Sequence, residues 1–174
     1  FTEPQYAVWF LNGIYKEMNA PYFRFGTAGF LGNAVDEGQP KANWDQAHNM
    51  AIGSWGPATI PFSVNVWDKN YSAIRAANRF LANVDLIPDS DEPVVNEQIR
   101  QRMKGEATFL RAFFYSDLLK YYAGVPIVTE VLDQNQDEEL FKPRETYDGC
   151  VDFICSELEN ALPLLPHADE LTAS

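Results

Sequence analysis

The chain has 174 residues, 46% of them hydrophobic and 14% aromatic, which is enough apolar material for one packed domain and too much for a disordered chain. A formal net charge of −12 repels phosphate backbones and anionic lipid headgroups, so binding of nucleic acid or a membrane surface by charge is disfavoured. No apolar run approaches the roughly 20 residues of a membrane span, and the first residues show no charged start followed by an apolar stretch.

Thr2-Glu3-Pro4-Gln5 has the form of a capping box, with Thr2 as N-cap and Pro4 in the first turn. It predicts a helix whose apolar stripe is Ala7, Phe10, Leu11, Ile14 and Met18, with Tyr6 and Tyr15 alongside, ended by Asn19-Ala20-Pro21. From Pro21 to about Val66 the periodicity disappears, and Gly, Asn, Pro and aromatics such as Phe23, Phe25, Phe30, Trp44 and Trp55 take over. A loop of this length in a compact domain is usually functional. Within it, His48 to Ile52 reads as a helical turn.

Trp67, Tyr71, Ile74, Asn78 and Leu81 recur at steps of four and three and predict a second helix. An amide on that apolar stripe is costly without partners, so Asn78 is expected to hydrogen-bond neighbouring backbone. Pro88 to Pro93 breaks the chain, and the longest helix is predicted from about Val94 to Tyr122 along Val95, Ile99, Met103, Leu110, Phe114, Leu118 and Tyr121. In its second half Phe109, Phe113, Tyr115, Leu119 and Tyr122 occupy the other faces, so this half should lie between partner helices. Gly105 would permit a close backbone approach, and Gly124 would supply the left-handed stop before Pro126. Glu106 and Arg111, five apart, cannot face each other squarely and are expected to bond different neighbours in a structural network.

Asp133 to Glu139 reads as a solvated loop, because it lacks the central turn glycine of a calcium loop. Thr146 is expected to start a last helix with the stripe Tyr147, Val151, Ile154, Leu158 and Leu162, flanked by Cys155 and Ala161 and ended by Pro163 and Pro166. Cys150 and Cys155 point about 140° apart around that helix and read as small core hydrophobes rather than a bridge or a ligand pair. With no convincing strand pair, the class is all-α, as a tetratricopeptide-like stack or a plain helical bundle.

Chemistry is sparse. No nucleophile, metal-protease, phosphate-loop or dinucleotide motif is present, and His48 and His167 lie in no metal-ligand spacing, so neither catalytic nor metal residues nor a cofactor are assigned. Asp36, Glu37 and Asp45 could form a glycosidase-like carboxylate pair, although such clustering is expected by chance in an acidic chain. The aromatic excursion is more informative. Pyranose rings stack on indoles while their hydroxyls need amides and carboxylates, and Trp44 with Asn43, Asp45 and Asn49, together with Trp55 after Gly53-Ser54, offers that combination. Filling the gap over the helices is the alternative role for both tryptophans.

The ordered set "FLNGIYKEM", Asp36-Glu37, W-x3-Y-x2-I-x3-N-x2-L, "GEATFLRAFFYSDLLKYYAGVPIV", "PRETYD" and "ELENALPLLP" resembles the N-terminal part of the SusD-like (RagB/SusD) outer-membrane nutrient-binding lipoproteins. The most specific piece is Gly105 to Tyr115 followed by Gly124 to Pro126; the family usually has two glycines before Val-Pro, where this chain has Ala123-Gly124. The resemblance implies a tetratricopeptide-like scaffold with a long irregular excursion between its first two helices. It further implies a surface lipoprotein of a Bacteroidetes outer membrane that captures oligosaccharide, without reaction, for a SusC-like TonB-dependent transporter. Residues 1–174 are then expected to be the N-terminal part of a single longer domain, anchored by a lipid upstream of Phe1. A helical adaptor for a protein or peptide, binding no sugar, is the rival expectation.

Overall fold

A computed structural model of the protein describes residues 3–18, 38, 46–54, 56, 66–133, 135 and 141–167. The chain divides into two compact units, Phe1–Met18 with Lys69–Ser174, and Asn19–Asp68. Among the described residues five α-helices dominate: α1 (Pro4–Lys16), α2 (Gln46–Ala51), α3 (Trp67–Leu81), α4 (Glu97–Tyr122) and α5 (Tyr147–Ala161). The all-α class expected from the periodicity holds.

In the larger unit α4 is the central rod. It packs most extensively on α5, and also on α1 and on the 3-10 turns Val84–Leu86 and Leu162–Leu164. Leu110, Phe114, Tyr115 and Leu118 are completely buried, and Phe109, Phe113 and Leu119 are half-buried, so the second half of α4 is enclosed on several flanks; Lys120 and Tyr121 are the open end. Gly105 has the role its position implied. A Cβ there would lie 2.8 Å from the Leu164 Cβ and 3.3 Å from the Ala161 carbonyl, so the end of α5 rests directly on the α4 backbone. From α1, Ala7, Leu11 and Ile14 enter the core, and Phe10 stacks on Phe80 of α3 with ring centroids 6.3 Å apart.

Several local expectations are corrected. Glu3, not Thr2, stands at the N-cap of α1 and makes no side-chain cap bond; Pro4 at the first helical position suffices to start the helix. The longest helix begins at Glu97, because Val94–Val95 pairs antiparallel with Ser90–Asp91 as a two-stranded ribbon, β2 with β1. Asn96 then caps α4, its side chain accepting from the Ile99 N–H at 3.0 Å. At the other end the positive φ belongs to Ala123 (φ 55°, ψ −128°), while Gly124 is required for a different reason: a Cβ there would collide with the Glu145 carbonyl.

The α3 face is also rotated from the expected stripe. Asn70, Ala73, Ala77 and Phe80 are buried with Ile74 and Asn78, whereas Trp67, Tyr71 and Leu81 are half-buried. In α5 the difference is larger. The side facing α4 carries Cys150, Glu157 and Ala161, so the expected stripe lies a quarter-turn away, with Tyr147 and Leu162 well exposed. Cys150 is buried as expected, Cys155 is exposed, and both are free thiols. Thr146 does cap α5, accepting from the Gly149 N–H at 3.0 Å. Most of the polar run 133–139 lies outside the described residues.

Candidate functional site

The signature residues of α4 turn out to build a clamp. Arg111 donates from Nε to Glu157 Oε2 of α5 at 2.6 Å, and from Nη1 to Asn78 Oδ1 of α3 at 2.8 Å and to the Thr129 carbonyl at 3.4 Å. Asn78 in turn donates to the carbonyls of Val128 (3.0 Å) and Glu130 (3.1 Å). Glu106 bonds elsewhere, to Arg102 at 2.8 Å, so the expected division of partners between Glu106 and Arg111 holds. Among the described residues no strand pairs with the extended segment after Pro126, and side chains of α3 and α4 bond its backbone instead.

Two phenols complete the grip. Tyr71 donates to the Pro126 carbonyl at 2.7 Å; Tyr115 donates to the Val128 carbonyl at 3.1 Å and accepts from the Val128 N–H at 2.7 Å. Burial pushes the Tyr115 phenol up to about 12, so it stays protonated and can serve both roles at neutral pH. Burial likewise raises Tyr71. Beside this segment, Tyr71, Ile74, Arg75 and Leu132 help to line an open cleft of about 150 Å³. Ligand pockets usually occupy about 300–1,000 Å³, so this cleft is too small for an oligosaccharide. Its charged groups are also engaged: Arg75 donates to the Leu132 carbonyl at 3.0 Å, and Glu130 pairs with Lys142 at 2.6 Å.

Of the residues chosen from sequence for sugar binding, Asn43, Trp44, Asp45 and Trp55 lie outside the described residues, as do Asp36 and Glu37. Asn49 is placed, half-buried on α2. The expected turn around His48 to Ile52 is this helix, and it ends in a Schellman motif. The Ser54 N–H donates to the Asn49 carbonyl at 2.8 Å and the Gly53 N–H to the Met50 carbonyl at 3.0 Å, with Gly53 left-handed at φ 67°. The chain is thus stopped and turned immediately before Trp55. Among the described residues no group of three or more His, Cys, Asp or Glu could hold a metal ion, and no helix is long and apolar enough to cross a membrane.

Trp9 escaped the sequence reading, and Tyr6, expected alongside the buried stripe, is exposed. Tyr6 and Trp9 project from the outer side of α1, 60% and 59% exposed, with ring centroids 5.5 Å apart and planes inclined at 64°. Periodicity contained the signal, since Trp9 lies two residues from both Ala7 and Leu11 and therefore on the far side of the helix from that stripe.

A mostly helical scaffold, with a central buried rod and an extended segment clamped by Arg and Asn, defines a helical architecture of the tetratricopeptide-like kind. The chain belongs to the SusD-like family: residues 31–173 match the family described as starch-binding and associating with the outer membrane. A curated SusD-like protein of Formosa agariphila is 32% identical over 95 residues, which is 55% of this chain and 17% of the relative. A laminarin-binding SusD-like protein superposes with a TM-score of 0.78 at 22% identity, covering 98% of this chain and 36% of the other. A SusD-like protein from Bacteroides fragilis (TM-score 0.71, 24% identity, 93% of this chain, 29% of the other) and surface glycan-binding protein A from Bacteroides uniformis (TM-score 0.69, 23% identity, 93% and 35%) share the fold. The chain therefore spans about a sixth of the curated relative and about a third of these solved structures.

Proposed function

We propose that the protein captures oligosaccharide at the outer membrane, without catalysis, and delivers it to a SusC-like TonB-dependent transporter. The observation that carries this reading is the match of residues 31–173 to a family described as starch-binding and associating with the outer membrane. Neighbours described as laminarin-binding and as surface glycan-binding support the same ligand class. The residues proposed to contact sugar are Trp44 and Trp55 as stacking platforms, with Asn43, Asp45 and Asn49 bonding hydroxyls. Attachment to the membrane is proposed to be through a lipid anchor upstream of Phe1.

Calorimetric titration with maltohexaose and laminarihexaose tests the ligand class. Saturable binding that Trp44→Ala and Trp55→Ala each weaken about 3- to 10-fold, as expected for loss of an aromatic stacking contact, supports the site. Failure of both sugars and of a wider glycan panel to bind, together with tight retention of a protein partner, would replace this reading with the adaptor. Release of reducing sugar would contradict the non-catalytic role.

A further inference from the structure

We propose that Asn70 and Asp117 form a register lock, which fixes how α3 and α4 align and slightly destabilises the fold in doing so. The two helices run antiparallel, since Asn70 meets Asp117 and Asn78 meets Arg111. Asn70 is completely buried and Asp117 is 7% exposed. The Asn70 amide donates to Asp117 Oδ2 at 3.0 Å and to the Phe114 carbonyl at 3.4 Å. Both acceptors lie on its nitrogen side, so turning the amide over would set oxygen against oxygen. Its own Oδ1 accepts from no group of the chain. Asn70 is thus a buried amide of which only half is used, and an apolar side chain would avoid that penalty.

The apolar residues around this contact show what the pair adds. Ala73 and Ala77 of α3 are buried one turn apart with Ile74 between them, and on α4 the buried Leu110, Phe114 and Leu118 recur every four residues. Apolar contact is non-directional, so a slide by one turn, about 5.4 Å, preserves much of such burial. Polar contacts do not survive it. Asn70 would pass out of reach of Asp117, and Asn78 out of reach of Arg111, leaving buried polar groups unpaired. Asp117 also accepts from Lys120 at 3.3 Å, but that contact lies within α4 and marks no alignment. Fixing register is the best-attested use of buried polar groups. Here the register serves the clamp. Tyr71 and Asn78 hold the segment after Pro126 from α3, while Arg111 and Tyr115 hold it from α4, with the two phenol rings 6.4 Å apart.

The test compares Asn70→Leu, Asp117→Leu and their combination with the parent, all carrying Cys155→Ser so that only introduced cysteines react, Cys150 being buried. Nitroxide labels are placed at Ser72→Cys on α3 and Gln98→Cys on α4, both exposed. By helical rise these positions lie roughly 25–30 Å apart along the axes, so a slide appears directly as a change in distance. Double electron–electron resonance should give one narrow distance in the parent. The double variant should melt at or above the parent temperature, because neither polar group is left without the other. Its distances should nevertheless gain a second component displaced by about 5 Å, one helical turn. Each single variant should melt below the double, since it strands one partner. A double variant with the single narrow distance of the parent would overturn the lock. So would a double variant that melts below the parent or fails to fold, because the pair would then serve stability.

Discussion

Replacing Arg111 by alanine is the perturbation that most directly tests the clamp. Its side chain and that of Glu157 are each 11% exposed, so the pair is nearly dry, and the guanidinium also saturates Asn78 Oδ1 and reaches the Thr129 carbonyl. Deleting it strands a carboxylate and an amide oxygen away from water. Breaking a buried pair in this way costs about 3–5 kcal/mol, which for a chain of this size lowers the melting temperature by roughly 6–20 °C. Removing both charges, in Arg111→Met with Glu157→Leu, should cost about 2–3 kcal/mol less than the sum of Arg111→Met and Glu157→Leu made singly, since no charge is left unpaired. Urea denaturation followed by far-ultraviolet circular dichroism gives the three differences, and repeating it in 1 M NaCl should leave them nearly unchanged, because a buried pair is poorly screened. Single costs below about 1 kcal/mol, or additivity of the two, would refute the argument.

Three further outcomes follow from the same coordinates. Gly105→Ala should destabilise by about 1–2 kcal/mol in urea denaturation, because overpacking against Leu164 and Ala161 outweighs the roughly 1 kcal/mol gain in helix propensity; stabilisation would show that the helices are not in backbone contact. Ala123→Gly should stabilise by about 0.5–1 kcal/mol in the same assay, since relief of the positive-φ strain exceeds the extra freedom of glycine in the unfolded chain. Alkaline titration should expose Tyr115. Its proton is held to about pH 12 in the folded chain and lost near 10 when unfolded, so stability is intact below pH 10 and falls as pH rises from 10 to 12, by about 2–3 kcal/mol from this residue. Tyr115→Phe should remove that part of the slope, leaving the contributions of Tyr71, Tyr15 and Tyr121, whose phenols burial also raises; an unchanged slope in the variant would sink the assignment.

Periodicity located α1, α3, α4 and α5 because each buries a continuous stripe, and it anticipated Asn78 and Gly105 because an amide or a glycine on such a stripe demands a reason. It misplaced the contact face of α5. That helix carries apolar residues on two adjacent flanks, and a single sequence holds no information on which flank meets α4. Nothing in the sequence marks Glu157 as buried, since only the spatial arrival of Arg111 makes a carboxylate tolerable there. The ribbon of Ser90–Asp91 and Val94–Val95 is too short to show a two-residue period. The family resemblance was legible from α4 and the Gly-Val-Pro exit, whereas the residues proposed to contact sugar rest on side-chain chemistry alone, because aromatic content without periodicity fixes no geometry. Trp9 lies off the buried stripe of α1, so the apolar periodicity that defines the helix gives it no place.

The stretch between Val125 and Glu145 is tied off at its neck. The Glu145 N–H donates to the Val125 carbonyl at 3.1 Å, and Arg144 reaches back to the carbonyls of Tyr122 (3.1 Å) and Gly124 (3.4 Å). Once such a purse-string is drawn, extra chain inside it is thermodynamically inexpensive, with each doubling of length adding only about 0.6 kcal/mol of closure entropy. That leaves the chain length between Leu132 and Lys142, beyond the residues gripped by α3 and α4, free to change at little cost, so epitopes or reporter tags grafted there should leave the helices on either side undisturbed.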